Sequence, residues 1–295
     1  MQEYLNLLYQ FESLQWGIII FLGLIIGSLL NVINNRTPLM MAYENAKFIK
    51  NNCIKATKEV EDTLLKYKNF NLFFPSSRCP KCNKEIKFYQ NIPIISYLFL
   101  LGKCSNCKTK ISLEYPLVEA LNVTLWILAY INFGFTLELV FVLFLLTSVL
   151  SISVIDAKFQ IIPDTIQFLL LLCAFYMSTL GYINIDIQEM IITSISVYFI
   201  LLGFFSSYEK IRGFEEHIFG RGDIKYLAVI SAWVGFVDLL NVIIYSVVFS
   251  LIFYAFLFLI KKQSILEKIT PFAPSISISF LIIYFDILLP KLIII

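Results

Sequence analysis

Long apolar runs separated by short polar segments dominate this chain of 295 residues. A membrane-crossing helix needs about 20 apolar residues, and the pattern predicts about eight such helices. The stretch 226–260 is too long for a single span, and Gly235 to Asp238 divides it into two. We therefore predict an all-α polytopic integral membrane protein. The predicted spans cover 16–34, 115–133, 137–155, 165–182, 190–206, two pieces of 226–260, and 276–289.

Composition agrees with this class. Hydrophobic residues make up 59% of the chain and charged residues only 15%, against about 25% charged residues in an average soluble domain. The first apolar run has no basic residue before it, so we interpret it as a retained helix rather than a secretory signal. We predict three segments: a first transmembrane helix over 1–36, a cytoplasmic segment over 37–114, and a transmembrane core over 115–295.

The distribution of basic residues predicts the orientation in the membrane. Of the 23 Lys and Arg residues, 14 lie between Arg36 and Lys110, and basic loops favour the cytoplasmic side. With eight spans and an outside N-terminus, the other basic loops also fall in the cytoplasm, around Lys158, 210–225 and 261–262. We therefore expect Asp156 and Asp223, which flank two of these loops, on the cytoplasmic side.

Four cysteines stand out in the cytoplasmic segment. Two Cys-x-x-Cys motifs, formed by Cys79 with Cys82 and by Cys104 with Cys107, are separated by 21 residues. This spacing is typical of a four-cysteine zinc site, and four thiolates would make the metal structural rather than catalytic. A pair of disulfides or redox cysteines is the alternative, which a cytoplasmic location disfavours.

Aspartates at the edges of apolar runs need an explanation, because a carboxylate within a membrane is costly. Asp156 and Asp223 invite the interpretation of an acid/base pair. Each has a simpler explanation by itself, since Asp156 suits an interfacial helix end and Asp223 suits the N-cap of a helix. For Asp164 we favour the capping interpretation. The single histidine, His217, suits a loop better than a catalytic role.

Several motifs, in order, resemble those of the type IV prepilin peptidases, which are aspartyl membrane proteases with a Gly-x-Gly-Asp box. The resemblance extends over nearly the whole chain, from about residue 17 to 274. Arg221 in the box and Leu29 in the first motif depart from the usual family pattern. The motifs are 27–33 with Arg36 and Pro38, both cysteine pairs, 91–98, 111–119, 155–156 with 162–164, and the box 220–223.

This resemblance implies a membrane endopeptidase that removes a basic leader from type IV prepilins or from the pseudopilins of type II secretion. It implies Asp156 and Asp223 as catalytic residues, Gly220 and Gly222 as supporting residues, and the four cysteines as zinc ligands. It also implies N-methylation of the new N-terminus with S-adenosylmethionine, for which the sequence shows no nucleotide-binding loop.

The expected partners are prepilin substrates and membrane lipid, without nucleic acid. The expected location is the inner, cytoplasmic membrane with the active site facing the cytoplasm. Asn31 and Arg36 suit helix-end polar groups, and the resemblance leaves a role in substrate binding or methylation open for them. Glu114 and Glu119 suit pairing with the basic cytoplasmic segment, with a direct role as the alternative. A non-enzymatic membrane subunit, with a zinc-stabilised docking segment and aspartates along an ion or proton path, is the alternative from another class.

Overall fold

The computed structural model describes residues 11–52, 57–68, 70–213, 219–261 and 271–292, and helices account for most of them. The described residues form no strand, only two isolated bridges between Arg78 and Glu85 and between Lys103 and Lys110. The all-α prediction is therefore confirmed. The helices are α1 (Glu12–Asn52), α2 (Lys58–Tyr67), a 3-10 turn (Phe88–Asn91), α3 (Ile95–Phe99), α4 (Glu114–Phe133), α5 (Leu137–Phe159), α6 (Asp164–Thr179), α7 (Ile187–Arg212), α8 (Arg221–Lys261) and α9 (Ala273–Leu292).

The first compact unit covers Met1–Leu139. In it, two glycines of α1 allow close packing against α4. A Cβ atom at Gly23 would lie 2.8 Å from Val123 Cγ2, and one at Gly27 would lie 2.9 Å from Glu119 Cα. Small residues at such spacing let the backbones of two membrane helices approach. The buried Asn122 side chain also donates to Gly23 O at 2.8 Å, which fixes the two helices in register.

The second compact unit covers Val140–Ile295. Its core holds the buried rings of Trp233, Phe280 and Tyr284, with Trp233 and Tyr284 edge to face at 5.7 Å. A buried hydrogen bond of 2.9 Å joins Tyr226 Oη of α8 to Ser277 Oγ of α9. Gly235 interrupts α8 with a non-helical backbone conformation, φ 80° and ψ 176°. The predicted break in this long apolar stretch is therefore confirmed.

Within the described residues, five helices are long and apolar enough to cross a membrane: α1, α4, α5, α7 and α8. Two shorter apolar stretches are helical as well, α6 over Asp164–Thr179 and the part Ala273–Asp286 of α9, so the predicted count of eight spans stays a prediction. The helix α1 continues well beyond the end of its apolar run, through Pro38 to Asn52. The division into the segments 1–36, 37–114 and 115–295 likewise stays a prediction.

Candidate functional site

Asp156 lies in the last turn of α5 and is buried, with 6% of its surface exposed. Its Oδ2 atom accepts a hydrogen bond of 3.0 Å from the backbone N–H of Ala273, the first residue of α9. The first N–H groups of a helix lack partners within the helix and favour a negative charge. The start of α9 thus holds the Asp156 carboxylate in place, and a solvated charge at a helix end does not describe this residue.

Asp223 is the third residue of α8, so the N-cap interpretation for it is wrong. Its Oδ1 atom is buried and has no hydrogen-bond partner among the described residues. A Cβ atom at Gly220 would collide with Asp223 Oδ2, so glycine leaves the carboxylate its space. A buried polar atom without a partner is costly and is often retained for function.

The carboxylates of Asp156 and Asp223 lie within electrostatic range of each other. Both belong to the second unit, where α5 and α8 present them from the ends of two different helices. The structure therefore brings the two predicted residues into one site. Two acidic groups that feel each other's charge in a largely buried place form an arrangement typical of acid/base chemistry.

Two contacts join the chain between α5 and α6 to the first five residues of α8. A Cβ atom at Gly222 would lie 3.3 Å from Ile162 Cβ, so the backbone of α8 packs directly on Ile162. Lys225 Nζ lies 2.9 and 2.7 Å from the two carboxylate oxygens of Asp164. Asp164 is the first residue of α6, and the cap position belongs to Pro163, so the predicted capping role of Asp164 is wrong.

Three aromatic rings border this site. Phe219, which precedes Gly220, stacks on Phe205 with a centroid distance of 4.5 Å. Phe272, which precedes Ala273, meets the Phe219 ring edge to face at 5.7 Å. All three rings are half-buried, so the site has an apolar border that the sequence motifs did not indicate.

Sequence reasoning also missed Ala273 and Lys225. A backbone donor such as the Ala273 N–H has no signature in the sequence. Lys225 follows the Gly-x-Gly-Asp box by two residues, so its charge was a usable signal. His217, predicted to be a loop residue without catalytic work, lies outside the described residues.

The four predicted cysteine ligands converge in the first unit, with all four Sγ atoms within 4.8 Å of one another. The Sγ atoms of Cys79 and Cys107 are 3.7 Å apart, and those of Cys82 and Cys104 are 4.0 Å apart. These separations exceed the ~2.05 Å of a disulfide. They match the ~3.8 Å that a tetrahedron with Zn–S bonds of ~2.3 Å requires. The cluster can therefore hold a metal ion.

Matching turns build the two cysteine pairs. Cys79 N–H donates to Lys84 O at 3.0 Å, and Cys104 N–H donates to Thr109 O at 2.8 Å. Asn83 and Lys108 occupy equivalent positions with φ near the left-handed region, 55° and 57°. Hydrogen bonds with the side chain and backbone of Thr109 lower the pKa of Cys107 to about 6. A thiolate at neutral pH is the form that binds metal.

The remaining polar residues of the first unit hold its parts together. Glu119 accepts hydrogen bonds from Asn31 Nδ2 at 3.2 Å and from the backbone N–H of Ile94 at 2.8 Å. Ile94 belongs to the basic segment with which Glu119 was expected to pair, and the contact uses its backbone N–H. Arg36 donates to Asn71 O at 2.8 Å and to Pro75 O at 2.6 Å. Asn31 thus joins α1 to α4, and Arg36 binds the segment between these two helices.

Two family models and several named proteins match this chain. Residues 21–133 match the family model described as the bacterial peptidase A24 N-terminal domain, and residues 139–259 match the type IV leader peptidase family. Proteins named prepilin leader peptidase/N-methyltransferase are similar to the chain. The one from Neisseria gonorrhoeae is 35% identical over 72% of this chain and 72% of its own length. The one from Stutzerimonas stutzeri is 33% identical over 88% of this chain and 86% of its own length. No solved structure matches the chain.

Proposed function

Since this chain belongs to the type IV leader peptidase family, we propose that it is a membrane aspartyl endopeptidase that removes the basic leader from type IV prepilins or pseudopilins. The observation that carries the proposal is that Asp156, which is buried, and Asp223, which is half-buried, lie within electrostatic range of each other. The similar proteins named prepilin leader peptidase/N-methyltransferase support the substrate class.

The proposed reaction needs one carboxylate ionised and the other protonated. The ionised group takes a proton from a water molecule, whose oxygen attacks the carbonyl carbon of the scissile peptide bond. The protonated group gives its proton to the carbonyl oxygen. When the tetrahedral intermediate collapses, the C–N bond breaks and the leaving amine takes the proton that the first carboxylate had taken from water. The second carboxylate takes back a proton from a hydroxyl group of the intermediate. Two close carboxylates share one proton because both cannot ionise cheaply, so the proton belongs to the pair.

The surroundings suit the two aspartates to these roles. The N–H of Ala273 binds Asp156 Oδ2 and favours the negative charge on that residue. Asp223 Oδ1 has no partner among the described residues, so it is free to contact a substrate carbonyl or water. Because Gly220 and Gly222 have no side chains, an extended substrate segment can approach the backbone beside Asp223.

The distribution of charge supports an active site at the cytoplasmic face of the inner membrane. The basic loops adjoin the two aspartates, and the loops that the eight-span pattern puts outside, 132–136, 184–189 and 236–238, carry no Lys or Arg. In this orientation the basic leader of the substrate stays in the cytoplasm while its apolar helix lies in the bilayer. The backbone of the cleaved segment needs access to water, which a cytoplasmic cavity provides.

The four-cysteine cluster is proposed to hold a structural zinc ion through Cys79, Cys82, Cys104 and Cys107. When bound, zinc would supply folding free energy to a polar segment with few buried apolar side chains. Four thiolates leave no open coordination position for substrate. The segment 37–114 is accordingly proposed to be a zinc-stabilised insert between the first helix and the transmembrane core.

N-methylation with S-adenosylmethionine is the second proposed activity, and it rests on the names of the similar proteins. We assign no residue to this cofactor, because the sequence has no glycine-rich nucleotide-binding loop. Mass spectrometry of a cleaved prepilin, with and without S-adenosylmethionine, tests the proposal. One added methyl group at the new N-terminus supports it, and an unmethylated product in both samples contradicts it.

Leader cleavage in isolated membranes tests the peptidase proposal. Wild-type membranes should shorten a prepilin substrate, and Asp156→Asn or Asp223→Asn membranes with equal protein should not. Failure of the wild type to cleave several prepilins would favour the non-enzymatic subunit. Undiminished cleavage by either variant would exclude the aspartyl mechanism.

A further inference from the structure

Several apolar side chains stand uncovered on the segment between α1 and α4, which its charge predicts to be cytoplasmic. Phe73 and Phe99 are each 84% exposed, and Leu101 is 81% exposed. The same segment also exposes Phe74, Leu98 and Leu113. Exposed apolar groups of this size cluster where a protein meets a partner or a membrane. The depth of these side chains relative to the spanning helices α1 and α4 identifies the partner.

Hydrogen bonds to α1 place the turn before α3 beside the apolar run. Glu119 accepts from the Ile94 N–H at 2.8 Å and from Asn31 Nδ2 at 3.2 Å. Asn31 lies within the apolar run of α1, which ends at Asn34. Ser28, one turn earlier, donates to the carbonyl oxygen of Asn91 at 3.5 Å. The turn 91–94 therefore lies beside the part of α1 that is inside the hydrocarbon of the bilayer.

The length of α4 independently places the turn 91–94 at the same depth in the membrane. This helix has 20 residues, about the number needed to cross the hydrocarbon of a bilayer. Glu119 lies five residues after the first residue, Glu114, which is about 7 Å along the helix axis. The short helix α3 follows Ile94 directly, and its five residues carry the chain only about 7 Å away from Ile94. Leu98, Phe99 and Leu101 thus lie near the membrane boundary.

Arg36 fixes the second exposed loop close to the same boundary. Its guanidinium donates to the carbonyl oxygens of Asn71 at 2.8 Å and Pro75 at 2.6 Å. Arg36 follows the end of the apolar run by two residues. Phe73 and Phe74 lie between the two bound carbonyl groups, at the level where α1 leaves the hydrocarbon.

Basic residues surround both loops in the sequence. A surface that combines exposed aromatic and aliphatic groups with many ammonium groups suits a bilayer with anionic lipid headgroups. A soluble protein partner would not require the apolar groups to lie at the height of the bilayer surface. The basic residues are Lys68, Arg78, Lys81, Lys84, Lys87, Lys103, Lys108 and Lys110.

We propose that the loops 71–75 and 95–101 insert their apolar side chains into the lipid beside α1 and α4, with the neighbouring lysines at the headgroups. The segment that carries the cysteine cluster is then seated on the bilayer through its own side chains. Membrane lipid is the partner of this surface. The inference holds whether or not the chain is a peptidase, because it depends only on the first unit and its two spanning helices.

Quenching by brominated phospholipid tests the proposal in the full-length protein. A fluorescent amino acid is introduced at position 73 or 99, and the protein is placed in nanodiscs that hold one copy each, which removes contacts between copies. Position 21, in the apolar run of α1, gives the fully lipid-exposed value. Position 48 is the matched control, because Phe48 is 70% exposed but lies about 18 Å beyond Arg36 along the axis of α1.

Probes at 73 and 99 should lose at least about half as much emission as the probe at 21, while the probe at 48 loses little. Anionic and zwitterionic discs should both show this order, with stronger quenching in the anionic discs. Quenching at 73 and 99 no greater than at 48, in both kinds of disc, would overturn the proposal. Leader cleavage is measured separately, so failure here leaves the peptidase proposal intact.

Discussion

Lys225 Nζ contacts both carboxylate oxygens of Asp164, at 2.9 and 2.7 Å, and so joins the first turn of α8 to the first residue of α6. Asp223 lies two residues before Lys225, and the loop that follows α5, the helix of Asp156, ends at Asp164. The ion pair therefore connects the two chain segments that carry the proposed catalytic aspartates. Because both partners are partly exposed, its contribution to folding stability should be only about 0–1 kcal/mol.

The first prediction is that Lys225→Met and Asp164→Asn slow leader cleavage more than they destabilise the protein. Loss of the pair should let the aspartates drift apart, and a small misplacement of reacting groups can cost up to about 100-fold in rate. We expect a fall in kcat of about tenfold, a nearly unchanged KM, and a Tm close to that of the wild type.

The charge-swapped variant Asp164→Lys/Lys225→Asp should recover part of this rate. Lys47→Met, which removes the 4.0 Å pair with Glu44 on α1, is the matched control and should cleave normally. Equal rates for Lys225→Met and wild type would show that the pair does not position the aspartates.

The second prediction concerns Gly220. A Cβ atom there would collide with Asp223 Oδ2, so Gly220→Ala should displace the carboxylate and reduce kcat by about 100-fold. Gly203→Ala on α7 is the control, because a Cβ atom at Gly203 meets nothing within 4 Å. The control should keep full activity and gain up to about 1 kcal/mol of stability. The measurement is the steady-state rate of leader cleavage by both variants. Equal rates for Gly220→Ala and Gly203→Ala would place Gly220 outside the site.

The third prediction tests the hydrogen bond from Ala273 to Asp156. Proline is well tolerated at the first position of a helix but has no N–H, so Ala273→Pro should preserve α9 and remove this bond. We expect the rate of leader cleavage to fall about tenfold, because the bond favours the ionised form of Asp156. Ala273→Ser keeps the N–H and should cleave normally. A fall in activity of the serine variant, with none in the proline variant, would contradict this role.

Sequence patterns predicted most of the helical framework. The apolar run 137–155 corresponds to α5, Leu137–Phe159, because an apolar run of that length can only be buried in lipid as a helix. The break near Gly235 was also predicted, since glycine readily adopts the positive φ found there. The polar stretch 42–70 was expected to form one or two solvated helices, but the unbroken continuation of α1 through Pro38 to Asn52 was not predicted, because proline usually interrupts a helix.

The sequence predicted the side chains of the candidate sites but not the groups that hold these side chains in place. Cys79, Cys82, Cys104 and Cys107 were expected together from their spacing alone, and they meet. The partner of Asp156 is a backbone N–H, which every residue except proline carries, so nothing in the sequence indicated Ala273. Asp164 was assigned to a helix cap because capping is local, whereas its partner, Lys225, is distant in sequence.

The fourth prediction concerns the metal. The purified protein should contain one zinc ion per chain by elemental analysis, because the four Sγ atoms lie within 4.8 Å of one another. Cys107→Ser should weaken zinc binding and lower the Tm, since structural zinc contributes folding free energy. Cys173→Ala, on α6 in the other unit, should keep the zinc. Full zinc content in a protein that lacks all four cysteines would place the metal elsewhere.

The most direct test of the central claim is the rate of prepilin leader cleavage by Asp156→Asn, Asp223→Asn and the double variant, compared in the same membranes. Residues that act as one unit are strongly non-additive. If the two aspartates share one reaction, each single variant should lose at least about 1000-fold and the double variant should lose no more. A double variant whose loss is the product of two modest single losses, or a single variant with wild-type activity, would contradict the proposed pair.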